Sequence, residues 1–109
     1  MSVSKGHLVV LITIPKSADV EGFSKKLVEE KLAACVNIVP TLKSIFWWQG
    51  RVDEEEEYLL VVKTRSDKFK ELVDAVKKRH PYTVPEIVAL PIVAGNREYL
   101  EWLDSVVGQ

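Results

Sequence analysis

An α+β fold is predicted by three features of the residue pattern. Four β-prone apolar runs are separated by stretches of helical periodicity. The two central runs follow one another directly across the short break Gln49-Gly50. Helical stretches fall after the first and third runs and again at the end. The order is β-α-β-β-α-β plus a terminal helix, one domain spanning residues 1–109. Right-handed βαβ crossovers close it into a four-stranded antiparallel sheet with helices on one face, the ferredoxin-like arrangement. That arrangement hosts many activities, so function must be read from particular residues.

Each element has its own justification. Leu8–Ile14 is a short apolar run closed by Pro15, as a buried central strand requires. Ser17 is placed to cap the next helix, with Asp19 and Glu21 in its first turn. Val20, Phe23, Leu27 and Val28, then Leu32, recur at helical spacing. The stretch from Val36 to Thr64 reads as a long hairpin, in which Pro40 belongs at an edge or bulge because it cannot donate to a ladder. Because Gln tolerates positive φ poorly, a type I turn with Gly50 in a bulge is expected at its tip. A two-residue loop would set Lys43 opposite Glu56 and Trp47 opposite Val52. Thr64 or Ser66 should cap the second helix, whose apolar face is Phe69, Leu72, Val73 and Val76. Lys77, Lys78 and Arg79 suit its C-terminal dipole, and Pro81 ends it. Glu86–Val93 is the fourth strand, and Asn96 caps the last helix, with Tyr99, Leu100, Trp102, Leu103 and Val106 on its apolar side.

The hairpin's length has a consequence. Thirteen strand residues reach about 43 Å, whereas a domain of this size has a radius of gyration of roughly 13 Å. A projecting ribbon that carries Ile45, Phe46, Trp47 and Trp48 would leave a large apolar surface in water, which soluble monomers avoid. Another subunit is the expected cover.

Composition excludes several function classes. A net charge of −1 and a pI near 6.1 give no electrostatic basis for capturing nucleic acid or an anionic membrane. One cysteine, Cys35, excludes an internal disulfide and suits a reducing compartment. No run approaches the ~20 apolar residues of a membrane span, and the start lacks a signal-peptide pattern. The cytoplasm is the expected location. No C-x-x-C pair, RNA-binding aromatic strand, phosphate loop or G-x-S-x-G is present.

The chemistry-bearing residues have competing readings. Cys35, beside small alanines, reads as a packed thiol rather than a nucleophile. His7 reads as a solvated bystander. His80, at a helix end before Pro81-Tyr82, suits either a metal ligand or a helix-dipole partner. Glu54 to Glu57 cannot converge on one ion, because consecutive strand residues face opposite ways; a solvated acidic face is expected. Lys63 is a site residue or a snorkelling one.

Taken together, LVEEKLAACVNIVP, SIFWWQGRVDEEEE, LLVVKTR and HPYTVPEIVALPIVAGNREYLEWL resemble the CutA family of divalent-cation tolerance proteins, from about Leu8 to Val106. The resemblance implies a ferredoxin-like subunit forming a tight homotrimer with ribbons packed across subunit boundaries. It implies tolerance of copper and other divalent cations, and no firm catalytic activity. Carried over residue by residue, it points to a cleft between subunits lined by Cys35, Trp48, Lys63, Tyr82 and Glu86, with His80 as the metal-ligand candidate. Copper-binding members are similar but carry a Cys where Ile12 stands and a His where Arg79 stands. The alternative expectation is a trimer like the PII signalling proteins, sensing a small anionic effector near Lys63 or Arg65.

Overall fold

The computed structural model describes residues 2–3 and 6–108. Its elements are β1 (Ser2–Val3), β2 (His7–Pro15), α1 (Val20–Glu29), β3 (Cys35–Trp48), β4 (Arg51–Arg65), α2 (Phe69–Arg79), β5 (Ile87–Pro91), β6 (Ala94–Gly95) and α3 (Arg97–Val106). The main sheet has the order β3-β4-β2-β5 and every neighbouring pair is antiparallel. The mixed α+β class, the antiparallel sheet and three helices are as the sequence predicts. A second, two-stranded sheet pairs Ser2 with Gly95 and Val3 with Ala94. It was not expected, because two residues carry no periodicity.

Alternation along the strands decides what each face carries. Val10, Ile12 and Ile14 of β2 and Leu60 and Val62 of β4 are buried against Val20, Phe23 and Leu27 of α1 and Leu72 and Val76 of α2. The alternate residues, Val9, Leu11 and Thr13 of β2 with Leu59, Val61 and Lys63 of β4, point away from α1 and α2. We call this second side the far face. On it Val88 and Leu90 of β5 are 47% and 54% exposed.

The ribbon gives the molecule a longest dimension of 44 Å against 25 and 23 Å across. Lys43 does pair with Glu56 and Trp47 with Val52. Near the core, pairing runs from Cys35↔Lys63 to Val39↔Leu59; towards the tip it runs from Leu42↔Glu57 to Trp48↔Arg51. The two registers differ by one residue, and a bulge between Val39 and Leu42, at Pro40, absorbs it. Lys16 holds this joint. Its ammonium donates to the Pro40 carbonyl and to Thr41 Oγ1 (3.2 Å), and it lies 4.2 Å from the centre of the Tyr58 ring.

Three local expectations are corrected. At the tip, Gln49 and Gly50 have φ of 51° and 82°. That is the positive-φ pair of a type I′ turn, whose twist suits two long strands better than a type I turn does. Gln49 therefore accepts a left-handed backbone. Helix α1 is capped by Asp19, which accepts from the Gly22 N–H at 3.1 Å, rather than by Ser17. Helix α2 has no side-chain cap: a single 3₁₀ turn, Ser66–Lys68, leads into it. Thr64 is wholly buried in β4 and donates its hydroxyl to the Leu32 carbonyl at 2.6 Å. Asn96 does cap α3, accepting from the Glu98 N–H at 3.0 Å.

Candidate functional site

A groove of about 760 Å³ lies on the far face where the ribbon leaves the sheet. Its ribbon wall is Phe46 and Trp48 of β3 with Asp53, Glu55 and Glu57 of β4. These residues share a face because the tip register sets Phe46 opposite Asp53, and alternation then brings in every second residue. The other wall is the segment 81–86 that follows α2, including Tyr82 and Glu86. Trp48, Tyr82 and Glu86 thus come together as a set.

The groove is strongly acidic on one side. Glu57 is only 3% exposed, so part of the expected solvated acidic face is in fact buried. The Tyr82 hydroxyl is shielded from water and lies near Glu57, short of hydrogen-bond geometry. Burial first, then the negative charges of Glu57, Glu55 and Asp53, push its pKa up to about 12.

His80 braces the groove wall from behind. It is buried, with Nε2 2.7 Å from the Thr13 carbonyl and Nδ1 accepting the Tyr82 N–H at 3.0 Å. Those partners assign the proton to Nε2 in a neutral ring. The ring also packs edge-on against Phe23, with centroids 6.3 Å apart. Both nitrogens are therefore engaged, and a metal ion could reach one only if a hydrogen bond opened. Among the described residues, no group of three or more His, Cys, Asp and Glu side chains is placed to hold a metal ion.

Cys35 and Lys63 lie elsewhere. They pair directly across β3 and β4 at the core end of the ribbon. Lys63 stands six residues from Glu57 along β4, about 20 Å away. Its ammonium donates to Asn37 Oδ1, and Cys35 Sγ lies 3.8 Å from the same oxygen. Tyr99 of α3 joins this cluster. Burial first, and then the Cys35 thiol beside it, push the phenol's pKa up. Of the two basic side chains an anionic effector would use, Arg65 is held by Asp67 through Nε at 2.9 Å and an Nη at 2.7 Å.

Sequence reasoning passed over Asp53, Glu55 and Glu57 as groove residues. The signal that would have found them is alternation: once the turn is two residues, they share the face of Trp48. His7 is also misplaced by the sequence reading. It is buried, with Nε2 2.9 Å from Asp104 Oδ1 of α3.

Comparison with known proteins gives concordant results. The sequence profile of the family described as CutA1 divalent ion tolerance protein matches residues 8–106. A divalent-cation tolerance protein CutA of Thermus thermophilus is 60% identical over 100 residues, 92% of this chain and 97% of its own length. The protein of that name from Archaeoglobus fulgidus is 48% identical over 101 residues, 93% and 98% respectively. Among solved structures, the Thermus thermophilus divalent cation tolerance protein superposes with a TM-score of 0.90 at 59% identity, covering 94% of this chain and 99% of that one. CutA1 from Oryza sativa does so with 0.91 at 43% identity, covering 97% of each.

Proposed function

Since the chain belongs to the CutA1 divalent ion tolerance protein family, we propose that it serves divalent-cation tolerance as a homotrimer of ferredoxin-like subunits, without catalysing a reaction. The observation that carries the assembly is the ribbon surface. Trp47 is 73% exposed, and Ile45 and Val52 beside it are similarly bare. The far face adds Val88 and Leu90. A monomer would present all of this to water, and neighbouring copies are the cover of matching chemistry.

The same assembly accounts for the divided site. Cys35 and Lys63 stand too far from Trp48, Tyr82 and Glu86 to form one cleft within a chain. They form one when the Lys63 end of one copy meets the Trp48 end of the next. Copper or another divalent cation is cargo on this reading, not a resident cofactor. The donor set of a single chain does not fit a copper centre: His80 is engaged at both ring nitrogens, His7 lies against Asp104, and among the described residues no three His, Cys, Asp or Glu side chains converge with the Cys35 thiol. Contact with the cation falls to the cleft between copies, with His80 contributing only if its bond to the Tyr82 amide opens. The cytoplasm suits a protein whose one cysteine is a free thiol. Relatives named as chloroplastic and periplasmic show that location varies within the family.

Light scattering at micromolar concentration tests the assembly. The expected result is the mass of three copies; a folded 12.4 kDa chain would overturn the reading. Calorimetric titration with Cu²⁺, repeated on His80→Ala, tests the metal arm. Binding that the substitution leaves unchanged removes His80 from the site, whereas its loss places His80 there.

A further inference from the structure

We propose that Glu57, at the floor of the groove, forms an ion pair with Lys63 of the neighbouring copy, so that each groove is completed by a charge from another chain. This rests on the homotrimer reading and adds to it a named contact. A carboxylate taken out of water is costly unless a cation meets it. Glu57 is 3% exposed, yet none of the salt bridges among the described residues reaches it. Lys63 is the complementary case. It is half-buried on the same far face, and its ammonium meets the neutral amide oxygen of Asn37 rather than a carboxylate. The separation of about 20 Å along β4 is well beyond a lysine's reach, so the two cannot pair within a chain.

Between these two ends the far face is apolar. Leu59 and Val61 on β4, Val9 and Leu11 on β2, and the exposed Val88 and Leu90 on β5 form a strip with opposite charges at its extremes. A second copy seated on such a strip buries the apolar part. It is oriented by the charges, the basic end of one copy lying over the acidic end of the next. Each copy then offers one acceptor end and one donor end. A contact of that head-to-tail kind closes into a ring when the rotation permits.

Two experiments on the full chain decide the matter. In the first, Glu57→Lys, Lys63→Glu and the doubly reversed variant are compared by sedimentation equilibrium, with far-ultraviolet circular dichroism to confirm folding. Each single reversal should weaken association by roughly thirtyfold or more, the range for disrupting a buried interfacial charge pair. The double reversal should recover most of that loss. Single variants that assemble like the parent, or a double variant no better than the worse single one, would overturn the pairing.

The second experiment needs no substitution and stands even if the reversed variants fail to fold. Zero-length carbodiimide coupling of the unaltered protein, followed by peptide mass spectrometry, should give a Glu57–Lys63 isopeptide. At ~20 Å within one chain that product can only join two copies. An oligomer that yields no such product sinks the ion pair and leaves the assembly standing. A monomer sinks both. Coupling of Glu57 to an added diamine with no Glu57–Lys63 product would show a carboxylate open to solvent and overturn the proposal.

Discussion

Arg79 and His80 are neighbours in sequence with separate tasks. The Arg79 guanidinium forks onto Glu30 at the end of α1, with N–O distances of 3.0 and 2.5 Å, and its hydrogen bond holds that carboxyl below the usual range. His80 turns inward and ties the segment after α2 to β2. Tyr82 gives a pH prediction at this scale. Its folded pKa is raised above the ordinary 10.0 to about 12, so the folded protein holds the proton more tightly than the unfolded chain. That contribution to stability is complete below pH 10 and is lost as pH climbs through 12. Phenolate absorbance should show one tyrosine ionising near pH 12, and Tyr82→Phe should abolish that step. Gln49 gives a second prediction. An L-residue in the left-handed region costs about 1–2 kcal/mol, and Asn is tolerated better there. Gln49→Asn should therefore raise stability by up to about 1 kcal/mol, read as a higher denaturation midpoint. Neither Gln49 nor the helix caps were fully legible from the sequence. Ser17, Asp19, Thr64 and Ser66 all have capping chemistry, and only the chain's path decides which one meets a free N–H.

The ribbon was the most legible element. Its strands are long, β-branched and joined by two residues, and those facts alone place Lys43 opposite Glu56 and Pro40 at an irregularity. What composition hid was the division of the acidic run. Residues 53, 55 and 57 face the groove, while 54 and 56 face the other way. The short pairing of Ser2–Val3 with Ala94–Gly95 was invisible for a different reason, because it depends on where two distant segments end up. At this scale Lys16 is the residue to test. It bridges the bulge and the Tyr58 ring, so Lys16→Ala should cost about 0.5–1 kcal/mol. It should also speed amide hydrogen exchange over residues 40–58, with little change in the core strands. Uniform exchange across the sheet would show that the lysine is not what steadies the joint.

For the whole molecule, the two halves of the predicted cleft fall at opposite ends of one sheet face. The family resemblance names the members but not their arrangement, and on the homotrimer reading proposed above a second copy bridges the gap between Lys63 and Trp48. The ribbon tip makes the matching prediction. Replacing Ile45 and Trp47 together by Ser removes apolar surface that is 66% and 73% exposed in one chain, so the fold of the subunit should survive. If that surface lies between copies, dilution should dissociate the variant at roughly tenfold or higher concentration than the parent. An unchanged mass across the dilution series would place the interface on the far face alone.

The extra residue at Pro40 and Thr41 has a use in remodelling this protein. The base of the ribbon takes its alignment from the core and the tip takes its own from the turn, so the joint is slack between two fixed frames. Excising Thr41 would let both frames run on unbroken. Trp48 would keep its side and Trp47 the other, and only the direction in which the arm is aimed would change. The aim of the arm could then be adjusted without altering what it carries.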